Sequence, residues 1–564
     1  MKFAELAEYL HKLEKTSSRL EITEILAELI KKLGEGEVGQ AINLMLGQLG
    51  PSFSAPVFNV AEQMNIEAIA QAFDVEKNDV KKKYKELGDQ GDAAQSFSSK
   101  KHSDISVSDL SDVLIEVANF EGEGSVDLKI NRLASLYESL DALSLRYVAR
   151  IPIGKLRLGF SEKTLIDALS IAEVGDTSAK KDIESAFAVV PDIARLAKTI
   201  KKEGLQKATK NIIPQVGIPV MPMLAARLKS TNDMIKKMRE VSVEPKFDGL
   251  RVFIHYKKGE PVKAFSRNMN RIEESFPELQ RISEYTDAKE LIVDSEAIGV
   301  DPKTEKFVDF QKTISRRRKH DIKKSSEDTP LTFQVFDIVM KDGTSFMDTD
   351  YIERREVLEK VFSKNKLFIV DEKTITKDPA VIVAKHKEYR DKGLEGVIVK
   401  KVDSKYIAGR TGWRWVKMKE EESKRSMLSD TIDAVVMGYT QGKGKRAKFG
   451  IGQFLAGVRN GETYLTITKV GTGLSDEQFK TLHTKLSKIT VKNMPKEYRV
   501  TKELAPDFWV EPEVVVELAA DEISVSPPNK HTAGYALRFP RLVRFRDDKS
   551  AKQATTLKEV KSIK

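Results

Sequence analysis

Residues 244–251 read Glu244-Pro245-Lys246-Phe247-Asp248-Gly249-Leu250-Arg251. Val241 and Val243 precede the stretch, and Val252, Ile254 and Tyr256 follow it at a period of two. It therefore lies at the junction of two strands, with a lysine, an acid, a glycine and an arginine crowded together. That pattern predicts a lysine nucleophile, Lys246, that carries a nucleotide covalently. A lysine amine needs help from nearby cations or partial burial, and Arg251, Lys417 and Lys419 are expected to gather around it. In-line attack on the α-phosphorus of a nucleoside triphosphate would leave a lysine phosphoramidate and pyrophosphate. The protein's task is then positioning and charge neutralisation.

Outward from this stretch, residues 223 to about 427 have the texture of strands with interspersed helices. Leu250 to Tyr256 alternates, Lys258-Gly259 turns the chain, and Val262 to Ser266 returns into Ser266-Arg267-Asn268. Leu291 to Ile298 alternates again and sets Asp294 and Glu296 on one strand face. Further strands are predicted at Leu331 to Asp337, Leu394 to Lys401 and Trp413 to Lys419, the last with Lys417 and Lys419 on one face. Asp248, Glu296 and Glu395 are candidate ligands for magnesium, which takes one or two carboxylates and completes its shell with phosphate oxygens and water.

Residues 1–222 read as helical. Ser18-Arg-Leu-Glu21 is a capping box, Ile22, Ile25, Leu26, Leu29, Ile30 and Leu33 mark one helix face, and Gly34 stops it. Residues 88–108 are small and polar and are expected to form a mobile loop, and Gly217 to Pro222 to form a linker. In Ile151 to Gly159, Lys155 and Arg157 alternate with apolar residues between glycines. That pattern suits a phosphate backbone, and equally an ordinary polar turn. Residues 419–427 are a charged connector. Beyond them, short strands at Ile432 to Tyr439, Phe454 to Val458, Tyr464 to Val470 and Val514 to Leu518 predict a small β-barrel. Its loop with Lys443, Lys445 and Arg446 suits backbone phosphates and lacks Walker spacing. The cations Arg538, Arg541 and Lys549 near the end are candidates for gripping pyrophosphate.

Composition narrows the classes. At 564 residues, three domains are expected. Lys and Arg exceed Asp and Glu by 95 to 85, a net +10 that suits a polyanionic partner. The absence of cysteine excludes disulfides, thiolate zinc sites and cysteine nucleophiles. The seven histidines form no metal spacing, so a metal must be held by oxygen, which points to magnesium or manganese. No apolar run is long enough for a membrane span, and the start reads as a charged amphipathic helix rather than a secretory signal; a cytoplasmic, nucleoid-associated location is expected.

Taken together, these motifs make the chain resemble the ATP-dependent DNA ligases of the archaeal and eukaryotic replicative type over nearly its whole length. Glu244-x-Lys246-x-Asp248-Gly249-x-Arg251 is similar to that family's nucleotidyl-lysine motif, and Ser266-Arg267-Asn268 to its contact with AMP and the DNA phosphate. Glu296 resembles the acid near the ribose and metal, and Phe336-Asp337 the element whose aromatic stacks on adenine. Glu395-Gly396-Val-Ile-Val-Lys400 resembles the motif joining a metal carboxylate to a phosphate-binding lysine. Trp415-Val-Lys417-Met-Lys419, with Arg414 before it, resembles the paired α-phosphate lysines. Arg538-Phe-Pro-Arg541 through Lys549 is similar to the motif for the pyrophosphate step, and Gly154 to Gly159 to a stretch of the helical DNA-binding domain. Phe310-Gln311 and Arg316-Arg317-Arg318 resemble a further family stretch. One departure is Asp294-Ser295-Glu296, where glycine is common before the acid; serine is small, and little effect is expected.

The resemblance implies a multidomain α+β architecture: an all-helical DNA-binding domain at 1–222, a nucleotidyltransferase (adenylation) domain with antiparallel sheets at 223–427 and an OB-fold β-barrel at 428–564. It implies ATP and Mg2+, with Mn2+ as a substitute, and a monomer that encloses nicked double-stranded DNA. Lys246 would take AMP from ATP, pass it to the 5′-phosphate of a nick, and the 3′-hydroxyl would then expel it, in replication and repair. Many clamp-binding relatives carry a glutamine-aromatic peptide in the N-terminal loop; Gln95-Ser-Phe97-Ser has only one aromatic, which argues against a sliding-clamp partner. A capping guanylyltransferase or an RNA ligase shares the lysine motif but does not need some 220 helical residues in front. An NAD-dependent ligase is expected to carry a cysteine zinc site. A catalytically inactive DNA-end scaffold has no need of Lys246, Asp248, Glu296, Glu395 and Lys417 together. Nucleotide choice stays open at this stage, since it depends on the pocket around Phe336 and Glu244.

Overall fold

A computed structural model describes the chain except residues 157, 211, 227, 229, 305, 309–312, 314–328, 410–411, 420–430, 443–445, 447–448, 472–473, 521, 528–529 and 564; the side chains of 419 and 522 also lie outside the description. The chain divides into two compact units. The first takes residues 1–84 and 90–419, the second residues 420–564 with 85–89.

The first unit opens with helices from Phe3–Lys15 to Leu205–Thr209, packed around one apolar core. Helix Arg19–Lys32 starts where expected: Ser18 accepts the Glu21 amide, and Ile22, Leu26, Leu29 and Ile30 are buried. The expected loop at 88–108 is in part a helix, Gln90–Phe97. Its small residues serve close packing rather than mobility. A Cβ on Gly91 would lie 2.1 Å from the Arg146 carbonyl oxygen, and Asp92 accepts from Arg150 at 2.9 Å. The segment from Gly217 to Pro222 is likewise pinned rather than slack. Val220 is buried, Met221 donates to the Ala188 carbonyl, and the Gly217 amide donates to His255 Nδ1 at 3.2 Å.

Two sheets follow. Their strands are β1 (Val241–Lys246), β2 (Leu250–Lys257), β3 (Lys263–Ser266), β4 (Glu290–Gly299), β5 (Leu331–Lys341), β6 (Thr344–Ser345), β7 (Phe368–Val370), β8 (Thr374–Thr376), β9 (Gly396–Lys401) and β10 (Trp415–Lys419). One sheet runs β10-β9-β1-β8; the other runs β3-β2-β4-β5-β6, with β7 parallel to β5. The alternation in β2 buries Val252, Ile254 and Tyr256 in one core, while Phe253 faces a second cluster with Phe53 and Phe265. The signature stretch thus ends β1 at Lys246, crosses at 247–249 and begins β2 at Leu250.

The second unit contains β11 (Ile432–Gln441), β12 (Ile451–Asn460), β13 (Thr463–Val470), β14 (Thr490–Val491), β15 (Tyr498–Arg499), β16 (Phe508–Val510), β17 (Val515–Ala519), β18 (Glu522–Val525), β19 (Tyr535–Arg538) and β20 (Arg541–Phe545). β11 pairs with β12, β16 and β17, and β17 pairs with β20, so the sheet curls around Ile432, Val436, Phe454, Ile467 and Val516. Helix Asp476–Leu486 adds Leu482 and Leu486 to that core. This is the curled sheet of an OB-fold. Among the described residues no helix is long and apolar enough to cross a membrane.

Candidate active site

A cavity of about 470 Å³ opens where β1, β2, β4, β5, β9 and β10 meet. Lys246, Glu244, Arg251, Arg267, Glu296, Phe336, Lys400 and Lys417 all line it, with Ser266, Asn268, Asn270, Trp415 and Asp371. Residues more than 150 positions apart converge because the antiparallel registers bring them together. Lys246 lies opposite Gly396, Gly396 lies opposite Lys419, and Arg251 lies opposite Glu296.

Lys246 sits at the mouth of β1 with its ammonium on the Glu395 carboxylate. Glu296 accepts the Gly249 amide at 3.2 Å, and burial pushes its carboxyl up to about 7 against the opposing charges of Lys246 and Arg251. Gly249 has no room for a side chain: a Cβ would lie 2.4 Å from the Ala297 carbonyl oxygen and 3.0 Å from Glu296 Cγ. Arg251 does not reach for Lys246. It forms a fork on buried Asp294, at 2.9 and 2.6 Å, and donates to the Met223 carbonyl at 2.7 Å.

Beneath the cavity, Lys400 is almost wholly buried. Its Nζ is 2.6 Å from Glu244 Oε2, donates to the Phe336 carbonyl at 2.9 Å, and lies 4.6–5.1 Å from the rings of Trp415, Phe336 and Tyr351. Glu244 also accepts from Tyr351 and from Ser242 at 3.0 Å. Phe336 lines the cavity and also packs edge-on against Trp415 at 6.0 Å. It is both a wall of the pocket and part of a core.

Sequence models of three families match in chain order. They are "DNA ligase N terminus" over residues 2–170, "ATP dependent DNA ligase domain" over 222–419 and "ATP dependent DNA ligase C terminal region" over 447–549. The chain belongs to the ATP-dependent DNA ligases. A "Probable DNA ligase" of Dictyoglomus turgidum is 40% identical, over 99% of this chain and 97% of the relative. A "DNA ligase" of Saccharolobus islandicus is 35% identical, over 99% and 96%. A solved structure named Pmar-Lig_Pre matches with a TM-score of 0.56 at 18% identity, covering 96% of this chain and 99% of that one, a likeness of fold. The chain is thus an ATP-using enzyme that acts on DNA, and nick sealing is the family's activity.

The ligase does not bring every expected residue to the cavity. Asp248 lines a separate cavity of about 310 Å³ with Phe247, Ile298 and Leu394. Arg414 is outside the lining and contributes its carbonyl, which accepts the Lys401 amide at 2.9 Å. Glu395 reaches the site through Lys246 rather than through the wall. Among the described residues no three His, Cys, Asp or Glu side chains gather into a metal cage. Glu296 and Glu395 beside Lys246 fit an ion that takes most of its oxygens from phosphate and water.

Lys155 pairs with Glu62 at 3.4 Å in the helical part of the first unit. In the second unit, Arg446 donates to the Gly452 carbonyl at 3.0 Å and lies over Phe479, so it braces its own loop. Lys549 is 2.6 Å from buried Asp433, which also accepts from Arg546. Arg538 and Arg541 belong to β19 and β20. Arg157, Lys443, Lys445, the Lys419 side chain and the stretches with Phe310-Gln311 and Arg316-Arg317-Arg318 lie outside the described residues. Tyr351, Arg355 and Asp371 around Glu244 had no motif to announce them. Asp371 stands out only as an acid after the apolar run Phe368-Ile369-Val370, and Tyr351 and Arg355 lie in the charged run 348–356, where nothing local sets them apart.

Proposed function

We propose that Lys246 is the residue that carries AMP. The contact of its ammonium with Glu395, at the edge of a pocket lined by Arg267, Lys400 and Lys417, carries this reading. The lysine must shed a proton before it attacks, and Glu395 is the acceptor at hand. The new N–P bond to the α-phosphorus of ATP forms as the bond to the β-phosphate oxygen breaks, and pyrophosphate leaves. Lys246 then yields AMP to the 5′-phosphate of a nick, and the 3′-hydroxyl attacks that phosphate and expels AMP.

Glu244, Arg251, Phe336 and Lys400 are assigned to the floor and base end of the pocket and Arg267 and Lys417 to the phosphate end, and Lys419 and Arg414 are assigned to the α-phosphate by their motif alone. Magnesium, or manganese in its place, would be held by Glu296 and Glu395, with Asp248 a more distant candidate, and would neutralise phosphate charge when bound. Arg538, Arg541 and Lys549 are assigned to the departing pyrophosphate. Lys155, Arg157, Lys443, Lys445 and Arg446 are assigned to the DNA backbone. The working limits are 1–222, 223–427 and 428–564, in a monomer that works in the cytoplasm.

The test is intact mass after incubation with ATP and magnesium, on protein first shown to carry no AMP. A gain of one AMP in the wild type and none in Lys246→Ala supports the assignment, and a nicked duplex then tests sealing. An adduct that survives in Lys246→Ala would refute it.

A further inference from the structure

One acid of the pocket belongs to none of the motifs. Asp371 follows β7 directly, and the parallel register Val335↔Val370 carries it alongside Phe336, the ring expected to face the base. Its amide donates to the Val335 carbonyl at 3.1 Å, which fixes its backbone. The residue is 6% exposed and lines the same cavity as Lys246, Phe336 and Trp415. Among the described residues its Oδ1 has no hydrogen-bond partner. A buried polar atom left unpaired is costly, so one that lines a ligand cavity marks a group whose partner arrives with the ligand. Glu244, the acid of the signature, accepts from Tyr351 and Ser242 at Oε1, and its Oε2, also without a hydrogen bond, is charge-paired with Lys400 at 2.6 Å.

Resting on the assignment of this cavity to ATP, we propose that Asp371 selects the base by hydrogen-bonding the N1/N6 edge of adenine. Burial, reinforced by the charge of Glu244 and Glu296 and opposed by Arg355 and Lys400, holds its carboxyl well above the usual carboxylate range. A neutral carboxyl offers one O–H donor and one carbonyl acceptor. Adenine presents the complement, the N1 acceptor and an N6 donor. Guanine presents an N1–H where the carboxyl O–H would need an acceptor. A buried site built for one hydrogen-bond pattern rejects the other base because its own groups are left unpaired.

The test follows lysine–AMP formation by the full chain across nucleotide concentrations, with ATP and with 1-deaza-ATP, which lacks N1. Asp371→Ala raises the half-saturating ATP concentration about tenfold or more, while the maximal rate stays within about threefold. Asp371→Asn, which keeps one donor and one acceptor, stays near the wild type. 1-deaza-ATP weakens the wild type by a factor similar to the alanine effect and leaves Asp371→Ala without further loss. Equal loss with the analogue in both proteins overturns the inference, as does a fall in maximal rate at unchanged half-saturation. Unchanged half-saturation of the wild type with 1-deaza-ATP overturns it without any variant. A wild type that forms no adduct with ATP is a separate result, which removes the nucleotide reading and the inference with it.

Discussion

Lys246 and Glu395 meet across an antiparallel register: Lys246 pairs with Gly396, and the carboxylate of the residue before that glycine closes on the lysine's ammonium. An amine that must attack in line depends on being held, and small misplacements at such centres cost on the order of a hundredfold in rate. Glu395→Gln removes the charge partner and the proton acceptor at once. Rapid-quench measurement of lysine–AMP formation is expected to show a fall of that order, with ATP half-saturation changing much less. A rate within threefold of the wild type would contradict the role given to Glu395.

Gly249→Ala is expected to disable the enzyme while leaving it folded. The added Cβ meets the Ala297 carbonyl oxygen and Glu296 Cγ, so β2 and β4 must part or Glu296 must turn away. Overpacking of this kind costs about 1–3 kcal/mol, which a chain of this size tolerates, but the Gly249 amide loses Glu296. Adduct formation should drop with near-normal circular dichroism; full activity would show that the contact is soft.

Arg354 is fully buried and makes four hydrogen bonds. It forks onto Asp337 at 2.8 and 2.9 Å and donates to the carbonyls of Thr349 and Ser404. Removing one partner of such a pair strands the other charge at a cost of about 3–5 kcal/mol. Arg354→Met should lower stability to urea by about that much, and Arg354→Met with Asp337→Leu should recover most of it. If the double variant is as weak as the single, stranded charge is not the cause.

His255 supplies a pH test. It is buried and accepts the Gly217 amide at Nδ1, and burial, with Lys263 adding to it, pulls its pKa down to about 3. The unfolded chain takes up a proton below pH 6.5, whereas the folded chain does so only near pH 3. Between those values the unfolded state binds more protons, so stability falls as pH falls. At pH 5 the loss is on the order of 2 kcal/mol from this residue alone. Thermal unfolding of wild type and His255→Gln between pH 5 and 8 should diverge on the acid side; parallel curves would exclude His255 as the source.

Local pattern made the strands and the nucleophile legible. β2 announced itself by alternation, and the crowding of Lys246, Gly249 and Arg251 at its entry marked the site. Partners set by register were not legible. Nothing local to Arg251 says that it bonds Asp294 rather than supporting Lys246; that follows from the diagonal geometry of β2 on β4. Asp371 becomes a pocket residue only because β7 lies parallel to β5. Small, polar 88–108 looked like slack chain because composition cannot separate a mobile segment from one that needs glycine to fit against Arg146. Asp248 shares the signature with Lys246, yet the crossing at 247–249 turns it toward another cavity.

That crossing has a consequence for how the enzyme's speed can change. Within three residues the chain leaves the sheet that carries the amine and joins the sheet that carries Glu296. Each sheet is stitched by its own ladder, so a small slip of one layer over the other alters the gap between amine and acid without breaking a rung. Ile292, Val339 and Met340 of the second sheet share one apolar cluster with Trp415 of the first, so substitutions at those three positions, outside the pocket lining, act as a tuning screw on the first chemical step.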